Sequence, residues 1–283
     1  MKPSRFEHHP VGSVEEAVSA LASLSAQGGR ILAGGQSLVP MMAFRLAQPA
    51  HLIDINRIAG LDRMRRQDGV LVIPACVRHA AFQRGGATVL ERLLARVVRH
   101  IAHAPIRNRG TFCGSVAHAD PSAEWPVVMT ALDGVAVARS ASGVREIPAA
   151  AFFEGVMTTA LRSDEMLAEI RLPEIEGASF GFCEHSRRAG DYAQAMTLAV
   201  WRLREGRIAE ARVAVGGVEP VPRRLAGVEA LLVGAVPSAS LLRDAAELAA
   251  AAVTPMEDGQ ISASLRRDLV RATTRRALTE AGA

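Results

Sequence analysis

The chain has 283 residues, a formal net charge of +4 and 49% hydrophobic residues, a composition that predicts a folded globular protein and excludes disorder. Lys2 is the only lysine, so a Walker phosphate loop and Schiff-base catalysis by an internal lysine are excluded. The arginines are spread along the chain without a basic stripe, which argues against nucleic-acid binding. No apolar run approaches the roughly 20 residues of a membrane span, and the polar N-terminus argues against export, so we expect a cytoplasmic protein.

The first 60 residues predict a helix and two strands around a glycine turn. In chain order we predict a helix over 13–29 that opens with a capping box at Ser13–Glu16, a strand over 30–33, a helical turn over 38–46, and a strand over 51–55. Gly34 and Gly35 follow the first strand, where backbone N–H groups could approach an anion directly. A tight structural turn is the alternative, and the chain has no G-x-G-x-x-G dinucleotide fingerprint.

The middle of the chain predicts a mixed unit with a long irregular segment. The predicted elements are strands over 70–74, 135–139, 144–147 and 166–172, and helices over 89–100 and 125–132. Residues 104–124 between the helices hold prolines and glycines with few periodic apolar positions, which indicates a functional loop. Its glycine N–H groups and the hydroxyls of Thr111 and Ser115 could bind a diphosphate, and Asp120 or Glu124 could accept from a ribose or ribityl hydroxyl.

The last hundred residues change character after a predicted linker over 173–177. Strands are predicted over 180–184, 193–203 and 208–216, followed by helical stretches that start near Arg224, Ser238 and Ser262. This pattern predicts a small antiparallel sheet covered by helices.

Four ordered motifs resemble the FAD-binding medium subunit of the xanthine dehydrogenase and carbon monoxide dehydrogenase family of molybdenum hydroxylases. The motifs are A-G-G-x-S at Ala33–Ser37, I-R-N-x-G-T-x-x-G at Ile106–Gly114, A-D-P at Ala119–Pro121 and R-R-x-G-D-Y at Arg187–Tyr192. The similarity extends over nearly the full length of the chain.

The resemblance implies an α+β fold with a two-part FAD-binding domain of the vanillyl-alcohol-oxidase (PCMH) type and a C-terminal small antiparallel sheet with helices. The implied boundaries are 1–60 and 61–175 for the two FAD-binding subdomains and 176–283 for the C-terminal domain. FAD would be held non-covalently, and no residue is expected to bind a metal or to act as a catalytic acid or base. The residues expected to bind FAD are Leu32, Ala33, Gly34, Gly35, Gln36, Ser37, Leu38, Ile106, Gly110, Thr111, Cys113, Gly114, Ser115, Asp120, Glu124, Leu167 and Tyr192.

The function implied by the resemblance is that of an oxidoreductase subunit that passes electrons from iron–sulfur clusters through FAD to an external acceptor. The implied partners are a small [2Fe–2S] subunit and a large molybdopterin subunit, assembled as a dimer of heterotrimers. Cys76, Cys113 and Cys183 are too scattered to build a cluster within this chain, which agrees with clusters on a partner. A self-sufficient flavin oxidase of a small alcohol and a partner subunit without flavin are the alternatives.

Four residues depart from the pattern that the resemblance implies, and two histidines lie beside the expected flavin loops. Cys113 replaces a glycine and Ser115 an asparagine; a positive φ at Cys113 would cost about 1 kcal/mol, and its thiol is read as a packed side chain rather than a redox group. Glu184 stands where relatives often have lysine, and Glu124 where they usually have aspartate. His103 and His118 flank the expected flavin loops, and either could touch the cofactor.

Overall fold

The computed structural model describes residues 2–259 and 261–282, and its N-terminal part is a three-stranded parallel sheet with a helix packed against it. The elements are β1 (Glu7–Pro10), α1 (Val14–Leu24), β2 (Gly29–Leu32), α2 (Leu38–Ala43) and β3 (His51–Asp54), and the strand order is β1-β3-β2. The sequence prediction missed β1, because a short polar edge strand carries no hydrophobic alternation.

Only one of the two hydrogen bonds of the capping box predicted at the start of α1 forms. The Ser13 hydroxyl accepts a hydrogen bond from the Glu16 N–H at 3.1 Å, which caps the helix. The Glu16 carboxylate accepts instead from the Gly12 N–H at 2.7 Å, one residue before the cap. The helix ends at Leu24, five residues before the predicted end, because a short 3₁₀ turn and then Gly28 in the left-handed conformation follow it.

The middle part is a five-stranded antiparallel sheet with helices on one side. In chain order its elements are β4 (Arg65–Gln67), β5 (Val70–Pro74), α3 (Val89–Val97), α4 (Ala104–Arg107), α5 (Phe112–His118), α6 (Glu124–Ala131), β6 (Val135–Ser140), β7 (Gly143–Pro148), β8 (Phe153–Gly155), β9 (Thr158–Thr159) and β10 (Met166–Pro173). The sheet order is β4-β5-β10-β6-β7, and β8 with β9 forms a separate hairpin. Phe82, Phe112 and Trp125 pack together in the core, with ring centroids 4.6–5.6 Å apart.

The interpretation of residues 104–124 as one irregular loop was wrong, because two short helices, α4 and α5, lie within it. Thr111 is the N-cap of α5: its hydroxyl accepts from the Gly114 N–H at 3.0 Å. Phe112, Cys113 and Val116 are buried on α5, an apolar face too short to produce a visible helical period.

The C-terminal part is a four-stranded antiparallel sheet covered by helices. Its elements are β11 (Ala178–Ser186), β12 (Ala193–Arg204), β13 (Arg207–Gly216), β14 (Arg223–Arg224), α7 (Ala226–Leu232), α8 (Ala239–Ala252) and α9 (Ala263–Ala281). The two-residue strand β14 was not predicted. Helix α9 lies directly on the sheet, since a Cβ at Gly181 would collide with the backbone of Ala277.

No helix in the described part of the chain combines the length and the apolar character that crossing a bilayer requires.

Candidate functional site

A cavity of about 780 Å³ lies where the three sheets approach one another, and every residue predicted to bind FAD lines it. One wall is the turn between β2 and α2, with Leu32, Ala33, Gly34, Gly35, Gln36, Ser37 and Leu38. A second wall comes from α4, α5 and the segments around them, with Ile106, Gly110, Thr111, Cys113, Gly114, Ser115, Asp120 and Glu124. Leu167 on β10 and Tyr192 in the loop between β11 and β12 complete the set.

The turn between β2 and α2 has unpaired backbone donors on this wall of the cavity. In residues 2–259 and 261–282, no protein group accepts a hydrogen bond from the N–H groups of Gly34, Gly35, Gln36 or Ser37. Gly35 adopts φ 71°, a left-handed conformation that favours glycine and that is typical of turns whose successive N–H groups form an anion-binding concavity. Such a cradle of amides binds anionic oxygen atoms, as those of a diphosphate.

The turn between β2 and α2 packs tightly against the segment around Gly110. A Cβ at Gly34 would collide with the carbonyl oxygen of Arg109 and lie 2.7 Å from the Cα of Gly110, so a glycine is required where the two segments meet. This close contact fixes the positions of the two walls relative to each other.

Asn56 and Arg78, which the sequence analysis did not single out, connect these walls by side-chain hydrogen bonds. The Asn56 amide donates to the carbonyl of Ala33 at 2.8 Å, and its oxygen accepts from Arg78 at 2.6 Å. The other arm of Arg78 donates to the carbonyl of Arg109. These contacts join positions far apart in the sequence, so no local motif could have indicated them.

The second wall provides hydroxyl groups to the cavity, whereas its glycine amides are already used. The Gly110 N–H donates to the Ile106 carbonyl at 2.7 Å, and the Gly114 N–H donates to the Thr111 hydroxyl. The expectation that these two glycine N–H groups bind a diphosphate was therefore wrong. The hydroxyl protons of Thr111 and Ser115 remain as donors on this wall.

Cys113 is a packed side chain on the cavity wall. It lies inside helix α5, so the positive φ considered for this position does not occur. Its thiol is buried and donates to the carbonyl of Ile73 at 3.3 Å, and burial raises the pKa of the thiol. A neutral, enclosed thiol is a poor nucleophile and a poor redox group.

His79, another cavity residue that the sequence analysis did not identify, is held in one tautomer. The indole N–H of Trp125 donates to His79 Nδ1 at 2.9 Å, so Nε2 carries the proton of the neutral ring. Burial, together with the charges of Arg107 and Arg78, lowers the pKa of His79 to about 4. At neutral pH the cavity wall thus contains an uncharged imidazole that can donate a hydrogen bond from Nε2.

The side of the cavity toward the C-terminal sheet is acidic. Glu124 begins helix α6, and burial, with the nearby charge of Glu184, raises its pKa well above the usual value. The Glu184 side chain is 2% exposed, its Oε1 is 3.9 Å from His100 Nδ1, and burial raises its pKa to about 7. Glu124 on the cavity wall and its neighbour Glu184, which is outside the lining, therefore both hold protons more tightly than ordinary glutamates.

Tyr192 and the two histidines flanking the loops differ in position. Tyr192 lines the cavity but is 71% exposed, and partial burial with the charges of Asp120 and Glu124 raises its pKa. His118 also lines the cavity. His103 is exposed and packs against Gly190 in the loop before Tyr192, so it supports this loop from outside.

The dimensions and the donors of the cavity fit a dinucleotide flavin. Its volume lies in the range of about 300–1,000 Å³ typical of cofactor pockets. An amide cradle for a diphosphate, hydroxyl and carboxyl groups for a sugar chain, and apolar surface from Leu38, Ile106 and Leu167 line the same space.

Two family models together match almost the whole chain. One is described as the FAD binding domain in molybdopterin dehydrogenase and matches residues 4–175. The other is described as the CO dehydrogenase flavoprotein C-terminal domain and matches residues 180–281.

Individual relatives agree with these models. The chain is 36% identical to the nicotine 6-hydroxylase medium subunit of Paenarthrobacter nicotinovorans, covering 100% of this chain and 99% of the relative. It is 35% identical to the carbon monoxide dehydrogenase medium chain of Hydrogenophaga pseudoflava, with the same coverage. A solved structure of carbon monoxide dehydrogenase from that organism contains a chain that matches with a TM-score of 0.95, at 36% identity, over 100% of this chain and 99% of that one. A chain of quinoline 2-oxidoreductase from Pseudomonas putida 86 matches with a TM-score of 0.93 at 36% identity, over 99% and 98% of the two chains.

Proposed function

This chain belongs to the family of FAD-binding medium subunits of molybdenum hydroxylases, and from that membership we propose that it carries electrons between iron–sulfur clusters on a partner and an external acceptor. Bound FAD would supply the redox chemistry, because it accepts electrons singly and releases them singly or in pairs. The chain would bind and orient the cofactor and adjust its surroundings. The oxidation of substrate would take place on another subunit.

The amide cradle at Gly34–Ser37 is the observation that best supports this function. We assign the FAD diphosphate to this turn, because its four successive N–H groups have no protein acceptor in the described chain. They can therefore donate hydrogen bonds to the anionic oxygen atoms of a diphosphate. Thr111 and Ser115 would donate to the diphosphate or the ribityl chain from the opposite wall, and Asp120 would accept from a sugar hydroxyl.

The remaining groups of the cavity would set the environment of the flavin ring. His79 offers a neutral donor, and burial raises the pKa of Glu124 on the cavity wall and of its neighbour Glu184, which reduces the negative charge that these two carboxyl groups bring to this region. We assign Tyr192 to the side of the ring that the loop between β11 and β12 covers. This arrangement would help to exclude water from the reactive part of the cofactor.

The proposed assembly contains a small [2Fe–2S] subunit and a large molybdopterin subunit, as a dimer of heterotrimers in the cytoplasm. The three free cysteines support clusters on a partner: Cys76 and Cys113 are buried in separate packing environments, and Cys183 lies on the C-terminal sheet. The relatives are named as medium subunits or medium chains, which supports a multi-subunit setting.

The function is tested by isolating the assembly from its own host through a tag on this chain and measuring iron, molybdenum and FAD. We expect about four iron atoms and one molybdenum per FAD, as two [2Fe–2S] clusters require. In a Gly34→Ala assembly, we expect FAD content and reduction of an acceptor dye to fall together, while iron and molybdenum stay unchanged.

Gly227→Ala is the matched control, because a Cβ at Gly227 in α7 meets open space. It should retain FAD and dye reduction. The proposal is wrong if the tagged chain brings down no metal-containing partner, or if the isolated chain oxidises a small alcohol by itself.

A further inference from the structure

Three side chains with metal-ligating atoms converge on one face of the N-terminal sheet. Glu7 and His9 are alternate residues of β1, so their side chains lie on the same face. His51 is the register partner of Glu7 on the neighbouring parallel strand β3. None of these three residues lines the cavity assigned to FAD.

The distances among the three ligand atoms match a tetrahedral metal site. His9 Nε2 lies 3.0 Å from His51 Nδ1, and Glu7 Oε2 lies 3.5 Å from His51 Nδ1 and 3.8 Å from His9 Nε2. An ion with ligand bonds of about 2.0–2.2 Å in tetrahedral geometry has its ligands roughly 3.3–3.6 Å apart. The observed separations bracket this range, so small side-chain rotations suffice to form the site.

We propose that Glu7, His9 and His51 form a binding site for a divalent transition-metal ion, with zinc as the preferred ion. Two imidazole nitrogens and one carboxylate oxygen suit zinc, whereas calcium and magnesium prefer oxygen ligands alone. The site is empty in this structure. Three protein ligands leave the fourth position for water or for a group from another molecule.

The surroundings of the three residues permit an ion to enter. The side chains of His51, His9 and Glu7 are 15%, 32% and 66% exposed, so the cluster is largely buried at His51 and open to solvent at Glu7. A bound ion would link the edge strand β1 to the central strand β3 through side chains, in addition to their backbone pairing.

His8 provides an internal control for this proposal. It alternates with Glu7 and His9 along β1 and is hydrogen-bonded to Asp54 at 2.9 Å. It is the same residue type at a neighbouring position, but it is outside the proposed ligand set.

The experiment uses the tag-free, FAD-loaded full chain, treated with a chelator and then freed of it. Zinc is titrated in competition with a chromophoric chelator, and cobalt(II) is added in a parallel titration to record the visible absorption of a tetrahedral site. We expect one equivalent of zinc to bind and to raise the melting temperature, and magnesium to have no effect. His9→Ala and His51→Ala should each weaken zinc binding by about tenfold or more, and His8→Ala should bind as the wild type does.

Glu7→Gln is a second variant that keeps the size of an exposed side chain, and it should weaken zinc binding while FAD absorbance stays unchanged. The proposal is overturned if the wild type binds no zinc at one equivalent. It is also overturned if the His9 and His51 variants bind zinc as tightly as the wild type, or if the His8 variant loses binding to the same extent. Because FAD content is measured separately, failure of the metal site is distinguishable from failure of the flavin function.

Discussion

At the scale of single residues, the buried carboxyl of Glu184 makes stability depend on pH in an unusual direction. Burial raises its pKa from 4.5 to about 7, so the folded chain binds this proton more tightly than the unfolded chain. The stability that this preference provides is present below pH 4.5 and is lost as the pH rises through about 7. Glu124 and His100 are the titratable neighbours that contribute to this balance.

We therefore predict that Glu184→Gln stabilises the protein at pH 8 but not at pH 4.5. At pH 8 the wild type must keep a charge in a site where one carboxylate oxygen, Oε2, has no hydrogen-bond partner in the described structure. The gain should be on the order of 1–3 kcal/mol, because one pKa unit corresponds to about 1.4 kcal/mol. Urea unfolding at saturating FAD and at both pH values measures it.

The control for this prediction is Glu154→Gln, at an exposed glutamate. This variant should leave the pH dependence as it is in the wild type. An equal effect of Glu184→Gln at the two pH values would contradict the prediction.

Residues that form the cavity could be predicted to different extents. Each of the four motifs contributes residues to its lining, because glycines and hydroxyl groups at fixed spacings leave a signal in the sequence. His79 left no signal in the sequence, since its role as a hydrogen-bond donor depends on the hydrogen bond from Trp125, which is 46 positions away. The role assigned to the amides of Gly110 and Gly114 was wrong because a sequence does not show which backbone groups the fold already uses.

At the scale of elements, the hydrogen bonds of Arg78 hold the two walls of the cavity together. Its guanidinium reaches Asn56, which supports the Gly34 turn, and the carbonyl of Arg109, which precedes the Thr111 segment. Both contacts use the planar, multiply donating head group of arginine. A lysine carries its donors on a single nitrogen and does not reproduce this planar, two-armed geometry.

We predict that Arg78→Ala weakens FAD binding by about tenfold or more, since a hydrogen bond from a charged donor contributes about 1.5–3 kcal/mol. Arg78→Lys should fall between the alanine variant and the wild type. Fluorescence titration of the apoprotein with FAD measures the affinity.

Arg84→Ala is the control for charge, because Arg84 is exposed and lies two residues after the 3₁₀ turn at His79–Phe82, which Arg78 precedes. Unchanged FAD affinity in Arg78→Ala would show that the walls hold their positions without this residue.

Element prediction succeeded where apolar periodicity was strong and failed where short elements depend on caps. The apolar stripe of α3 and the strand runs of the C-terminal sheet were confirmed. Helices α4 and α5 were missed, because Thr111 and tertiary burial, rather than composition, stabilise a seven-residue helix that contains glycine. Strands β1, β4 and β14 are short edge strands whose pairing only the complete sheet determines.

At the scale of the whole molecule, hydrophobic cores cross the predicted domain boundaries. One core joins Trp125 and Val127 of α6 to Phe182 and Met196 of the C-terminal sheet. Another joins Ile53 of β3 to Met166 of β10, and thus the N-terminal sheet to the middle one. The boundaries proposed at residues 60 and 175 would therefore separate segments that share packed side chains.

From these shared cores we predict a single cooperative thermal transition for the FAD-loaded chain. Val127→Ala should destabilise it by about 2 kcal/mol, because truncating a fully buried side chain loses transfer energy and leaves a cavity. Far-ultraviolet circular dichroism and flavin fluorescence should report the same lowered midpoint.

Val144→Ala is the control, because Val144 is 63% exposed, and it should leave the midpoint nearly unchanged. Two separate transitions, of which Val127→Ala shifts only one, would mean that the segments unfold independently.

The close approach of Gly34 to Arg109 and Gly110 also limits how the sequence can vary. Any side chain at position 34 requires the opposite segment to retreat, and retreat would separate the amide cradle from the hydroxyl groups that face it. The atoms that a side chain at position 34 would meet belong to the backbone of Arg109 and Gly110, so no change of side chain at those two positions makes room for it. Among homologous chains, position 34 should consequently stay glycine, although it is 75 positions away from the segment that imposes this requirement.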